Sequence, residues 1–148
     1  MKSEHRSVVA ALEGLLADSY TLYLKTHSYH WNVKGPMFST LHTMFETQYT
    51  ELALAVDEIA ERIRALDAPA PGSYTQFTAR AAVKEDTGVP VAIDMIRNLA
   101  KDQQTVADSA RKVVRAAEEA KDDASVDLGV RRIEIHEKTS WMLRSHLD

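Results

Sequence analysis

An all-α four-helix bundle with one long crossover is the fold class this sequence predicts, and three observations predict it. Four long segments carry apolar residues at three- and four-residue steps, the period of an amphipathic helix. Short breaks join the first segment to the second and the third to the fourth, while a connection of about 20 residues separates the two pairs. The 148 residues include only five Gly and four Pro, and 45% are hydrophobic, which suits long helices around one core and a single domain over residues 1–148.

The first helix is predicted from Arg6 to Val33. Val8, Leu12, Leu15, Ser19, Leu22, Thr26, Tyr29 and Val33 form its core face, and Val9, Leu16, Tyr20, Tyr23, His27 and His30 form a second stripe beside it. Lys34-Gly35-Pro36 stops it, since Gly accepts a left-handed backbone and Pro cannot continue the hydrogen-bond ladder. The second helix runs from Ser39 to Leu66, with Leu41, Phe45, Leu52, Val56, Ile59 and Ile63 as its core stripe and Pro69 and Pro71 beyond it. The connection, Ala68 to Gly88, carries a short helix that Ser73 could cap. The third helix starts near Pro90, a favoured first-turn residue, and buries Ile93, Ile96, Leu99, Gln103, Val106, Ala110, Val113 and Ala117. Asp123 or Ser125 caps the fourth, which runs to Ser145 with Val126, Val130, Ile133, Ile135, Trp141 and Met142 as its apolar set. Two hairpins of helices joined by one crossover is the ferritin-like connectivity among bundles.

Composition narrows the chemistry. There is no cysteine, so disulfides and thiolate metal sites are excluded, and imidazole and carboxylate remain as metal donors. That donor set suits iron, manganese or zinc. No apolar run approaches the ~18 residues of a membrane span, and MKSEHRSVV lacks the apolar block of a signal peptide, so a cytoplasmic location is expected. A formal charge of −4 gives no broad attraction for nucleic acid.

The chemistry concentrates between His27 and Glu61. With about 100° per residue and His42 at 0°, Glu46 lies near 40°, Asp57 near 60° and Glu61 near 100°, while the core residues of the same helix lie between about −40° and −100°. The four share a stripe that does not enter their own core. His42/Glu46 and Asp57/Glu61 are both i, i+4 pairs, each able to present two donors to one ion. Charged i, i+4 pairs alone more often mark a solvated face. Yet His42 and Asp57 stand about 22 Å apart along one helix, so no single site can use both from the same chain. An antiparallel two-fold pairing of this helix, with its axis between Glu51 and Leu52, sets His42 opposite the partner's Glu61 and Glu46 opposite the partner's Asp57. Thr50 then faces the partner's Ala53, and these small side chains permit close approach.

His30 ends the first helix near the start of the second, so it joins His42 and Glu46. Each expected site takes these three from one subunit and Asp57 and Glu61 from the other, two equivalent sites per dimer. Trp31 could pack beside the site, and His27, one turn before His30, is an auxiliary candidate. His5, His136 and His146 have no metal-spaced partners and read as surface or packing residues, and Trp141 and the methionines read as core. No Glu-x-x-His occurs anywhere, which argues against a di-iron site within one bundle.

The stretch HWNVKGPMFSTLHTMFETQYTELALAVDEIAERI resembles the signature of the Dps family, ferritin-like miniferritins that protect DNA in starved bacteria, and the likeness extends over essentially the whole chain. His30-Trp31-Asn32, His42, Asp57 and Glu61 fall at that family's ferroxidase positions, and Glu46 stands where the family often has Asp. The resemblance implies a hollow dodecamer with ferroxidase sites at its two-fold interfaces. It implies oxidation of Fe(II), preferentially by hydrogen peroxide, and storage as ferric oxyhydroxide. Asp122, Asp123 and Asp127 match the acidic turn lining the family's three-fold pores, where negative charge would concentrate cations; an acidic helix cap explains each of them singly as well.

Direct DNA binding is expected to be weak or absent. Family members that bind DNA commonly use basic tails, and here only Lys2 and Arg6 precede or open the first helix. Twelve copies at −4 each give a shell of −48, which repels phosphate. Two other readings stand beside the iron-storing one: a DNA-compacting structural protein with incidental metal sites, and a zinc- or manganese-held assembly without redox work.

Overall fold

The computed structural model describes residues 2–147; Met1 and Asp148, the ends of the predicted domain, lie outside it. After a 3-10 turn at Ser3–His5, five helices follow: α1 (Arg6–Asn32), α2 (Phe38–Ala65), α3 (Tyr74–Arg80), α4 (Ala92–Glu119) and α5 (Asp123–Arg144). No strand occurs among the described residues. α1 packs on α2, α4 packs on α5, and α1 meets α4 to join the two hairpins, with α3 lying across α1. This is the predicted all-α bundle with its helical crossover.

The core face of α1 lies where the spacing puts it: Val8, Leu12, Leu15, Ser19, Leu22, Thr26, Tyr29 and Val33 are all buried. At the end of α1 the backbone turns extended at Val33, and Gly35 takes a φ of 109°, a conformation costly for any residue with a Cβ. Phe38 N–H closes the turn onto the Gly35 carbonyl at 3.0 Å. This tight turn brings the end of α1 beside the start of α2.

The crossover is tied to the bundle by polar groups of α1. Buried Asp18 accepts the backbone N–H of Ala82 and Val83 at 2.6 and 2.9 Å and the hydroxyl of Ser109 on α4. Lys25 donates to the Lys84 carbonyl and pairs with Asp102 of α4, both at 2.8 Å. Tyr29 donates to Asp86 and accepts from Asn98, and burial together with the Asp86 carboxylate pushes its phenol pKa up. Ser73 caps α3, as expected, by accepting the Gln76 N–H.

Three expectations fail. α4 starts at Ala92 with Val91 as its N-cap, so Pro90 precedes the helix instead of opening it. Asp122, not Asp123 or Ser125, caps α5; Lys121 adopts a φ of 55° and the Asp122 N–H reaches back to the Ala117 carbonyl, so the turn after α4 closes in time for α5 to begin at Asp123 itself. The buried face of α5 is only in part its apolar set, of which Val126 and Ile133 pack half-buried against the core. Ser125, Leu128, Gly129, Arg132, His136, Ser140 and Leu143 point inward, while Val130, Trp141 and Met142 are exposed. A Cβ at Gly129 would lie 2.7 Å from Val114, so the glycine is what lets α5 approach α4 there.

The polar face of α5 is satisfied by a network. Arg132, 2% exposed, makes two bonds to the Glu51 carboxylate of α2. It also donates to His136 Nε2 at 3.0 Å, and His136 Nδ1 donates to Gln103 of α4 at 2.6 Å. Three helices are thereby linked through one buried cation.

Candidate metal centre at the α1–α2 turn

The turn at Gly35 places the last helical turn of α1 against the first turns of α2. His30 and His42 then hold each other's backbone: His30 Nδ1 donates to the His42 carbonyl at 2.7 Å, and His42 Nδ1 donates to the His30 carbonyl at 2.8 Å. A carbonyl only accepts, so each Nδ1 carries a proton and each Nε2 is left as the lone-pair donor. The imidazoles stack at 3.8 Å with 14° between their planes, and Phe38 covers the outer face of His42 at 4.9 Å. Glu46, one turn along α2, brings Oε1 to 3.9 Å from His30 Nε2. One donor atom from each of His30, His42 and Glu46 lies within 4.8 Å of the others, the only such cluster among the described residues.

Both imidazoles are therefore fixed in orientation by their own second hydrogen bond, the usual arrangement for histidines that ligate a metal. His30 is buried, His42 half-buried and Glu46 exposed, so the group opens outward on the carboxylate side. Two imidazole nitrogens and one carboxylate leave a divalent ion short of ligands, and the set fits iron through its mixture of nitrogen and hard oxygen donors.

Asp57 and Glu61 do not reach this group. α2 is unbroken from Phe38 to Ala65, so the axial separation of about 22 Å between His42 and Asp57 stands. Both carboxylates are exposed and line a shallow surface cleft with Leu54, Glu58, Arg62 and Arg131. The neighbouring cations are engaged elsewhere: Arg131 with Glu58 and Asp127, Arg62 with Asp122.

His27 lies outside the three-residue cluster. Its ring is held between Tyr49 at 4.1 Å and Trp31 at 4.0 Å, with the His30 ring 6.1 Å away. Partial burial, then the nearby His30, lowers its pKa. Trp31 packs on His27 and keeps 59% of its surface exposed. Tyr49, which the sequence reading did not single out, meets His30 edge-on at 5.1 Å. Its signal was available, since seven residues after His42 puts it near −20°, between the ligand stripe and the core stripe.

Of the acidic turn, Asp122 is buried and committed. Burial pushes its carboxyl up, but bonds from Ser125 and Arg62 outweigh that and hold it below the usual range. Asp123 is exposed in the first turn of α5, and Asp127 is exposed and paired with Arg131.

Comparison with known proteins agrees with this architecture. A family model described as a ferritin-like domain matches residues 9–148. An uncharacterized low temperature-induced protein of Nostoc sp. is 39% identical over 98% of this chain and 82% of its own length. DNA protection during starvation protein 2 of Bacillus anthracis is 33% identical over 97% of this chain and 99% of its own. The crystal structure of a Dps protein from Vibrio cholerae O1, described as a member of a broad superfamily of ferritin-like diiron-carboxylate proteins, superposes with a TM-score of 0.94 at 32% identity, covering 99% of this chain and 92% of that one.

Proposed function

The chain belongs to the Dps family of ferritin-like proteins, and from that premise we propose that it is a ferroxidase that oxidises Fe(II), stores the ferric product and so protects DNA. One observation carries the reading: His30 and His42 lock each other's Nδ1 onto backbone carbonyls and present both Nε2 lone pairs beside Glu46. Such orientation costs no rearrangement when an ion arrives.

The site is half of what the chemistry needs. Asp57 and Glu61 of a two-fold partner, in the antiparallel α2 register, complete the ligand set and supply the hard oxygen donors that favour Fe(III) over Fe(II). Two Fe(II) ions in one site give one electron each, and hydrogen peroxide takes both to become two waters with two protons from solvent. Hydroxyl radical, the one-electron product, is then bypassed. Peroxide is the preferred oxidant in this reading and dioxygen the slower one. Six dimers close into a dodecameric shell that holds ferric oxyhydroxide. Asp123 and Asp127, with capping Asp122 behind them, draw cations toward the pore. The location is cytoplasmic; no described helix is long and apolar enough to cross a membrane.

DNA is protected by removal of iron and peroxide, with direct binding weak or absent, because each subunit adds −4 to the shell. Fe(II) oxidation by peroxide, followed optically, tests the proposal against Asp57→Ala/Glu61→Ala. The double variant loses the fast phase; unchanged rates would refute the site. A shell that retains zinc or manganese after iron loading, with no ferric absorbance, would favour a purely structural metal.

A further inference from the structure

One side of the bundle is open. α2 packs on α1 and α5 packs on α4, but α2 and α5 barely meet, and the Glu51–Arg132 pair spans the gap between them. Along that gap runs a groove of about 360 Å³, lined chiefly by Met44, Gln48 and Leu52 of α2, Gln103 of α4, and Thr139 and Met142 of α5. On α2 it extends from Thr40 to Leu52, about 18 Å at 1.5 Å per residue, so it is long and narrow. It is not the face assigned to the two-fold partner. With His42 at 0°, Met44 lies near −160°, Gln48 near −120° and Glu51 near 180°, and only Thr43, on the rim, reaches the ligand stripe.

The two ends of the groove differ. α5 runs antiparallel to α2, since Arg62 meets Ser125 and Glu51 meets Arg132, so Met142 lies toward the Thr40 end with Met44. The Thr139 hydroxyl is spent there on the Ile135 carbonyl of its own helix, at 2.8 Å. The Glu51 end is polar and buried. Gln48 is 9% exposed, and its Oε1 has no hydrogen-bond partner among the described residues. Gln103 is buried, and its Oε1 is taken by His136 Nδ1, which leaves its amide protons for the groove. Glu51, the one carboxylate on the lining, is already neutralised by Arg132. This end therefore has an unmet acceptor, a free donor and no net charge.

We propose that the groove binds an uncharged linear amphiphile, with its hydroxyl between Gln48 and Gln103 and its apolar chain along Met44 and Met142. A hydroxyl both donates and accepts, as Gln48 Oε1 and Gln103 Nε2 together require. An ammonium cannot accept and a carboxylate cannot donate, and either brings a charge that the groove does not balance. Nothing holds the Gln48 oxygen, so its amide turns toward the groove about a broad terminal torsion at small cost. Methionine side chains are flexible and polarizable, which suits a wall that takes an alkyl chain. Apolar walls with a few convergent polar groups are the usual make-up of a small-molecule site. The inference stands apart from the iron-oxidising reading.

The test is saturation-transfer NMR on the assembled, iron-free protein with 1-hexanol as the probe, against hexylammonium and hexanoate of the same chain length. Wild type takes hexanol about tenfold or more tighter than either ion. Gln48→Leu loses no bond to Oε1 in the free protein, so it keeps the urea unfolding midpoint, yet it weakens hexanol binding about fivefold. Thr139→Phe, which fills the groove from α5, removes binding. Absence of transfer to hexanol in wild type, the result of a groove covered by neighbouring subunits, overturns the proposal. Equal binding of either ion overturns it as well, and so does undiminished binding in either variant.

Discussion

The two ends of α2 each carry an i, i+4 pair of proposed ligands and are built in opposite ways. At the N-terminal end His42 is locked to His30 by two reciprocal hydrogen bonds, with Glu46 one turn away and Phe38 covering the rings. At the C-terminal end Asp57 and Glu61 are exposed, and neither makes an ion pair or side-chain hydrogen bond to another described residue. The arginines that could neutralise them are drawn off to Asp122, Glu58 and Asp127. One end is ordered as the proposed half-site requires, and the other is an uncommitted pair of carboxylates. A chain that spends its nearby cations elsewhere keeps two anions available for something outside itself. Imidazoles need their orientation fixed before the metal comes, whereas carboxylates, with two oxygens and free rotation, can adjust when it does.

The comparison breaks most decisively under subunit mixing. His30→Ala/His42→Ala disables the first end and Asp57→Ala/Glu61→Ala the second, so each double variant alone should oxidise no iron at its sites. Refolded together, a mixed dimer pairs the intact histidine end of one chain with the intact carboxylate end of the other and recovers one of its two sites. Stopped-flow oxidation of the mixture against the separate variants reads this directly. Absence of any recovery would mean that the two ends do not meet across a two-fold axis.

Much of this asymmetry was legible in the sequence. The ligand stripe, its separation from the core stripe and the short turn bringing His30 to His42 all follow from helical periodicity, which the structure keeps through both helices. α5 was misread for a physical reason. Its inward face is held by Arg132, His136 and Ser140, whose burial depends on partners on α2 and α4 far away in sequence. Hydrophobic periodicity cannot see a buried cation whose cost is met by Glu51, and so the exposed Val130, Trp141 and Met142 looked like core. Tyr49 was passed over because a tyrosine at helical spacing is ordinarily read as packing.

Between the two ends of α2 lies Glu51, whose bond to Arg132 fastens the middle of the helix to α5. Glu51→Ala leaves a buried guanidinium without its carboxylate. Because the Glu51 side chain is 39% exposed, the loss should fall near the lower end for a charged pair, about 2 kcal/mol. Urea unfolding of the assembled protein should show a lowered midpoint. A shift within error would mean that water replaces Glu51 without cost, and that the ends of α2 are held by the apolar core alone.

The same network makes the bundle sensitive to acid. Burial, then the adjacent Arg132, lowers the pKa of His136 well below its ordinary value. The folded state therefore holds it neutral, while the unfolded chain protonates near 6.5. Its contribution is fully present above that pH and is lost as pH falls below it toward the folded-state value, by at most about 1.4 kcal/mol per pH unit. His27 shifts in the same direction, so the clean measurement is made in a His27→Phe background. There, His136→Gln should flatten the dependence of unfolding free energy between neutrality and the onset of carboxylate titration. An undiminished slope would place the acid sensitivity elsewhere.

The smallest effect is expected at His27, and it sharpens what counts as part of the prepared half-site. His27 sits on the same stripe as His30, yet its ring is sandwiched by Tyr49 and Trp31, and it does not join the three-residue ligand cluster. If it serves to pack the wall behind His30, a flat aromatic ring should do the same work. His27→Phe should then bind iron within about tenfold of wild type, the lower bound of what a supporting residue around a metal ordinarily contributes. His27→Ala, which empties the sandwich and lets the Tyr49 ring move, should weaken binding more. Titration with Fe(II) under anaerobic conditions orders the three proteins. If Phe and Ala were equally and severely impaired, the imidazole itself would be the needed group, and the half-site would hold three histidines.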